Sequence, residues 1–163
     1  MTETRQLFRE IVEQSNGIFI LTGAGISKPS GIPTFRGKDG IVDGYFKEHK
    51  ISDITDVKTL RSNPKLYWEF MLPTYNKILQ CSPNHGHHAC VDLEKYCKEH
   101  GKKFVLVTQN GDCLHEAAGS KTVYPIHGDI SKLICMKMSC REIYGTRDFV
   151  TTYPDMKLPK CLK

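Results

Sequence analysis

Three short stretches of the chain hold residues whose types and spacing could do chemistry. Gly23-Ala24-Gly25-Ile26-Ser27 follows directly on the apolar run Ile18 to Thr22. Two glycines one residue apart after a strand let the backbone approach a pyrophosphate and aim amide groups at it, which is the physical core of dinucleotide binding. The usual third glycine is absent, because Lys28 stands in its place, so the turn by itself fits a ligand-free bend equally well. Gln109-Asn110-Gly111-Asp112 follows a second apolar run, Phe104 to Thr108. Asn110 or Asp112 taken singly is an ordinary helix N-cap for what comes next. His127-Gly128 follows a third run, Thr122 to Ile126. An imidazole, which titrates at about 6.5, is suited to general-base work near neutrality, although a lone His-Gly after a strand is by itself a turn histidine. Asp43 lies some 20 residues past Gly23, where an ordinary dinucleotide fold binds a ribose, but nothing else supports that role and it reads as loop surface.

The elements that must carry these stretches follow from periodicity. Leu7, Phe8, Ile11 and Val12 are spaced as one face of a helix over 4–15, with Gly17 expected as its left-handed cap. Ile18 to Thr22 reads as a strand buried on both faces. Residues 23–50 are rich in Gly, Pro and small polar types and are expected to form a long functional loop. Asn63-Pro64 starts a helix containing Leu66, Trp68, Phe70 and Met71, which Pro73 is expected to break near Leu72. Ser82-Pro83-Asn84 starts another, through Ala89, Val91, Leu93 and Tyr96 to Gly101. Phe104 to Thr108, Leu114 to Ala118 and Thr122 to Ile126 then continue a βαβ pattern, so the predicted fold is α/β with a doubly wound parallel sheet. In such sheets ligands bind beyond the carboxyl ends of the strands, which is where all three stretches stand.

The longer string Gly23-Ala24-Gly25-Ile26-Ser27-Lys28-Pro29-Ser30-Gly31-Ile32-Pro33-Thr34-Phe35-Arg36-Gly37 closely resembles the cofactor signature of the sirtuin (Sir2-type) family of NAD-dependent protein deacylases. Thr108-Gln109-Asn110-Gly111-Asp112-Cys113-Leu114-His115 resembles the second motif of that family, and His127-Gly128 its catalytic histidine. The resemblance implies a Rossmann-like NAD-binding fold with a small helical and zinc-ribbon module, covering 1–163 as a partial catalytic domain. Residues 1–36 and 101–130 would form the Rossmann-like part, 37–100 the cofactor loop and helical module, and 131–163 the start of the zinc-binding module.

In the implied reaction the acyl oxygen of a modified lysine attacks C1′ of the nicotinamide ribose, nicotinamide leaves, and the acyl group passes to ADP-ribose. His127 would be the general base. Asn110 and Asp112 would position the nicotinamide ribose and carboxamide, and Gln109 would contact the ribose. Phe35 would shield the reacting centre and Arg36 would help hold the phosphate side, while Gly23, Ala24, Gly25, Ile26, Ser27 and Thr34 complete the cofactor site. His115 reads as structural. An NAD hydrolase or ADP-ribosyl transferase on the same scaffold, and an inactive remnant, are the competing readings.

The same resemblance makes Cys135, Cys140 and Cys161 ligands of a structural zinc, with a fourth ligand expected at about position 164. His85, His87, His88 and Cys90 could also form a metal cluster, although in the family pattern His87 packs or caps the helix start. The family domain is longer, and the resemblance reaches only its first half to two-thirds, so the fold is expected to be incomplete at its C-terminal side with an uncovered sheet edge. Thr34 resembles the branch that removes acidic acyl groups, yet Met71 and Thr74 stand where that branch has Tyr and Arg, which favours a neutral acyl group such as acetyl. The expected partner is an acylated protein lysine. The net charge of +5 comes from interspersed charges with no run of like sign, so direct nucleic-acid binding is not expected. Seven cysteines, no secretory signal and no apolar run of membrane length point to an intracellular chain, cytoplasmic or nuclear, without a membrane span.

Overall fold

The computed structural model describes residues 3–37, 40–146 and 160–163, so part of the expected zinc-binding stretch, 147–159, lies outside the described residues. The elements in chain order are α1 (Glu3–Gln14), β1 (Gly17–Thr22), α2 (Ala24–Ser27), a 3-10 turn (Lys28–Ser30), β2 (Tyr45–Phe46), β3 (His49–Lys50), α3 (Ile51–Ile54), α4 (Val57–Ser62), α5 (Pro64–Leu79), α6 (His85–Glu99), β4 (Lys103–Thr108), α7 (Leu114–Ala118), β5 (Val123–Pro125), β6 (Lys132–Ile134) and β7 (Ile143–Gly145). They form two compact units, Met1–Ser30 with Ser82–Gly128, and Gly31–Cys81 with Asp129–Lys163. Helix α6 therefore belongs with the sheet of the first unit.

In the first unit β1, β4 and β5 make a parallel sheet in that order. Ile20, Leu106 and Val123 share one row of that sheet, and Leu106 is fully buried there. Cys90, Val91 and Cys97 of α6 and Leu114 of α7 are buried as well, at helical spacing that turns one face inward. Truncating a core leucine of this kind costs about 2–5 kcal/mol. The opposite row, Leu21, Val107 and Tyr124, leaves its outer members open, with Leu21 57% and Tyr124 54% exposed. Capping fixes where the helices begin and end. Asn84 Oδ1 accepts from Gly86 N at 2.8 Å, and Asn84 N donates to His87 Nδ1, a reciprocal capping box. Lys102 Nζ donates to the carbonyls of Glu13 and Ser15 at 2.8 and 2.6 Å, tying the end of α1 to the start of β4.

Gly17 is not the left-handed cap that periodicity suggested. Helix α1 stops at Gln14 and Gly17 opens β1, paired with Lys103. Its lack of a side chain matters for another reason: a Cβ there would lie 2.9 Å from Lys103 Cβ and 3.1 Å from Lys103 O.

In the second unit α5 begins as expected, with Asn63 Oδ1 accepting from Leu66 N at 3.1 Å and Pro64 in the first turn. It does not break at Pro73, but runs unbroken to Leu79. A proline removes one backbone hydrogen bond and crowds the carbonyl four residues back, and packing on both sides of it can hold a helix together against that cost. Leu66 and Leu72 are buried ahead of Pro73, and Trp68 meets Tyr75 edge to face at 6.2 Å across it. Ile51 and Ile54 of α3 complete this core. Among its described residues, the long loop expected over 23–50 holds only α2, one 3-10 turn and the β2–β3 ribbon, with its antiparallel pairing of Tyr45 to Lys50. Among the described residues no helix is long and apolar enough to cross a membrane.

Replacing Gly17 with Ala should force β1 and β4 apart at their first pair. Urea denaturation should show about 1–3 kcal/mol lost stability, the usual cost of overpacking; an unchanged midpoint would mean that the close approach to Lys103 is not needed.

Candidate functional site

The carboxyl ends of β1 and β4 are joined by a side-chain cluster in the first unit. Asn110 Nδ2 donates to the carbonyl of Gly23 and to Ser27 Oγ, each at 3.0 Å. Ser27 Oγ donates in turn to Asp112 Oδ2 at 2.6 Å, and Asp112 Oδ1 accepts the N–H of Leu114, the first residue of α7, at 2.9 Å. Ser27 is fully buried, so its hydroxyl has to be satisfied within the cluster. Backbone bonds align the strand ends beneath: Gln109 N reaches Thr22 O, Asn110 N reaches Thr108 Oγ1, and Ile126 N reaches Thr108 O. Both amide protons of Asn110 are spent within the cluster, which leaves its Oδ1 as the remaining acceptor.

Gly23 and Gly25 have no atom within 4 Å of where a Cβ would stand. Their backbone therefore faces open space, as a strand-to-helix turn that receives an anion requires. Gly23 carries an extended backbone, so it is the close approach of a ligand, not a left-handed conformation, that would favour glycine. Gln109 is exposed beside Asn110, and His127 is exposed two residues beyond Pro125, the last paired position of β5. Thr34, Phe35 and Arg36 belong to the second unit. There Thr34 O and Phe35 O accept from Ile41 N and Val42 N at 3.0 and 2.9 Å, and the Phe35 ring is exposed.

Sequence reasoning took Asn84 only as a helix start. Its Oδ1 caps α6, but its Nδ2 donates to Ile26 O at 2.7 Å and to Ser30 Oγ at 2.8 Å, so it also anchors the loop after the glycine turn. The available signal is the spare amide: an N-cap asparagine uses only its oxygen and has two protons left to place. Gly86 lets the two segments come close, since a Cβ there would lie 3.1 Å from Ile26 Cγ1. His87 and His115 are buried in the same unit, and desolvation holds both imidazoles below their usual range. His85 and His88 are exposed, and no metal cluster forms around His87 among the described residues.

In the second unit Cys135, Cys140 and Cys161 bring their sulfurs within 4.8 Å of one another. The β6–β7 hairpin positions the first two, with Cys135 N donating to Glu142 O at 2.8 Å and Cys140 N to Lys137 O at 2.9 Å. Cys140 Sγ and Cys161 Sγ are 3.6 Å apart, close to the ~3.8 Å edge of a tetrahedron with zinc–sulfur bonds of about 2.3 Å. A hydrogen bond from Tyr144, whose Oη is 3.1 Å from the sulfur, helps pull the Cys161 thiol down to about 7. Sulfur donors with one thiol disposed to ionise near neutrality suit zinc.

Residues 23–163 match the family model described as the Sir2 family. The chain is 37% identical over 154 residues to NAD-dependent protein deacylase 2 of Archaeoglobus fulgidus, covering 94% of this chain and 56% of that protein. It is 38% identical over 136 residues to the mitochondrial NAD-dependent protein deacylase sirtuin-5 of Danio rerio, covering 83% of this chain and 43% of that one. Among solved structures, one described under the mechanism and regulation of Sir2 enzymes superposes with a TM-score of 0.77 at 34% identity, over 100% of this chain and 60% of that chain. A Sir2 structure with a p53 peptide and NAD+ gives 0.70 at 32% identity, over 91% and 54%. The chain thus spans little more than half the length of the first of these relatives. With the family model matched from the glycine turn to the last cysteine, and a parallel sheet whose strand ends carry its motifs, the chain belongs to the Sir2 family.

Proposed function

We propose that the chain carries the cofactor-binding and catalytic-base portion of an NAD-dependent protein-lysine deacylase. The observation that supports this most directly is the cluster in which Asn110 is held on Gly23 and Ser27, with Ser27 held on Asp112. Bound NAD would supply a nicotinamide ribose whose C1′ is open to attack by the acyl oxygen of a modified lysine as nicotinamide leaves. The open backbone of Gly23, Ala24 and Gly25 would take the diphosphate, with Ile26 and Ser27 beside it. Asn110 Oδ1 would accept a hydrogen bond from a ribose hydroxyl, Asp112 would fix that loop, and Gln109 would contact the ribose. His127 would take the proton of the ribose hydroxyl, a transfer that general-base catalysis speeds by about 10²–10⁴. Phe35 would keep water from the reacting centre and Arg36 would face the phosphates.

The substrate fits a neutral acyl group such as acetyl. Thr74, one of the two positions where a carboxylate-binding donor would be needed, already donates its hydroxyl to Phe70 O at 3.0 Å, and Met71 offers no donor. Cys135, Cys140 and Cys161 would hold a structural zinc that closes the β6–β7 hairpin against the C-terminal residues.

Incubation with NAD and an acetyl-lysine peptide should yield deacylated peptide and free nicotinamide in step. Absence of both would defeat the deacylase reading, whereas nicotinamide released without any acyl peptide would point to an NAD hydrolase or ADP-ribosyl transferase. His127→Ala should lower turnover by about 10²–10⁴ with NAD affinity kept, as removal of a general base does. Asn110→Ala should lose NAD affinity as well, because it frees Gly23 and Ser27 together.

Purified protein should contain zinc by elemental analysis, and a chelator should lower the melting temperature. Cys140→Ser should remove both the metal and the chelator effect. Protein that neither holds zinc nor gains stability when zinc is added would end the zinc proposal.

A further inference from the structure

His87 and His115 have no part in the chemistry described above, yet they are among the most buried side chains of the first unit, 0% and 1% exposed. They come from different helices, α6 and α7, and their rings meet edge to face with centroids 4.9 Å apart at 67°. One nitrogen of each ring is bonded. His87 Nδ1 accepts Asn84 N at 3.2 Å, and His115 Nε2 lies 3.0 Å from Thr22 Oγ1. The other two nitrogens, His87 Nε2 and His115 Nδ1, are buried without a hydrogen-bond partner among the described residues.

The contact with Asn84 fixes the tautomer of His87, and the cost of the alternative selects that of His115. Because His87 Nδ1 is an acceptor, a neutral His87 carries its proton on Nε2. A His115 that is also protonated on Nε2 donates to Thr22 Oγ1 and leaves Nδ1 bare. The two orphaned nitrogens of the pair are then a donor and an acceptor. The other tautomer of His115 would bury a second N–H group with nothing to receive it, which is costly. Thr22 is therefore held from its side chain by α7, while its carbonyl takes the N–H of Gln109, the residue after β4. The next residue is Gly23, whose carbonyl receives Asn110. A closed circuit results, running from Thr22 through His115, the first turn of α7, Asp112, Ser27 and Asn110 back to Gly23.

We propose that His87 and His115 are positioning residues for cofactor binding: as a buried pair they fix Thr22, and through it the separation of Gly23, Asn110 and Asp112 that the cofactor meets. The proposal rests on reading that cluster as the NAD site. It carries a pH dependence. The groups that act on the pair are Asp112, from the loop before α7, and His88 on α6. Burial lowers both imidazoles, and His115 and His88 lower His87 further, while Asp112 opposes the shift in each ring. Unfolded imidazoles take up a proton near 6.5 and the folded pair resists doing so. Below that pH the unfolded chain binds more protons, so stability falls as pH falls. A proton gained by the folded pair would either take His87 Nδ1 from Asn84 or leave His115 Nδ1–H without an acceptor, so NAD affinity should fall on the same side.

The test joins imidazole nitrogen NMR with calorimetric titration of NAD. Long-range ¹⁵N–¹H spectra should show both rings as Nε2–H tautomers and still neutral at pH 6; an Nδ1–H form of His115, or free-imidazole titration of either ring, overturns the proposal. Thr22→Val and His115→Leu should each weaken NAD binding by about tenfold, the size expected when a buried polar group loses its partner, and the double variant no more than either. His115→Gln, which can return an N–H near the Nε2 position, should recover affinity to within about threefold and lose the acid dependence. Single effects that multiply in the double variant, or variants that lower the melting temperature but leave NAD affinity unchanged, would make the pair merely structural and overturn the proposal. Unsubstituted protein that binds no NAD at all would instead remove the cofactor reading on which it rests.

Discussion

The side-chain amide of Asn110 is the point on which the site depends. A parallel sheet aligns its strands by backbone bonds, but these end where the strands end, and the loops beyond have to be tied by something else. Here a single amide group bonds the carbonyl of Gly23 and the hydroxyl of Ser27, and that hydroxyl bonds Asp112. No hydrophobic contact could do this work, since burial is non-directional while an amide fixes distance and angle at once. The buried Ser27 hydroxyl also makes the cluster all-or-none: break one bond and a desolvated polar group is left behind.

The elements around the cluster read as consequences of that requirement. The glycine turn can stay open because the loop after it is anchored from α6, where Asn84 caps its own helix with one atom and grips Ile26 and Ser30 with another. Helix α6 comes near enough because position 86 has no side chain to strike Ile26. At the far end of the sheet Gly17 permits the matching close approach of β1 to β4. Glycine thus serves the unit by proximity at both ends of one strand pair, in neither case through a left-handed backbone.

How far this was legible in the amino-acid sequence depends on whether the signal is local. The apolar runs 18–22 and 104–108 are strands with the expected carboxyl ends, each starting one residue earlier, and Asn63-Pro64 and Asn84 start helices, because caps and runs are properties of a few neighbouring residues. Pro73 was misjudged for the opposite reason. Its effect depends on whether Trp68 and Tyr75 meet across it, which no window of sequence reveals. Gly17 was likewise assigned to the helix before it, whereas its neighbour in space is Lys103, 86 positions away in the register of β1 with β4. Among the site residues, the grouping of Asn110, Asp112 and Ser27 was implied by motif resemblance, while the second role of Asn84 and the partnership of His87 with His115 lie 58 and 28 positions apart in the chain and emerge only on folding.

The energetics of the first unit differ between its two sides. In one row of the sheet Leu106 is fully buried with Ile20 and Val123 half-buried beside it, and the row through Leu21 and Tyr124 is open. A parallel sheet ordinarily has both faces covered, and among the described residues the face through Leu21 and Tyr124 is not. Its strand ends are secured mainly by polar bonds in the Asn110 cluster and the buried histidines, each worth only about 0.5–1.5 kcal/mol net. Any ligand that bonds to those same loops in the folded state and not in the unfolded chain must add its binding free energy to the stability of the sheet. The residues that would read the cofactor are therefore also among those that keep the strand ends in register, and a change that loosens one function loosens the other.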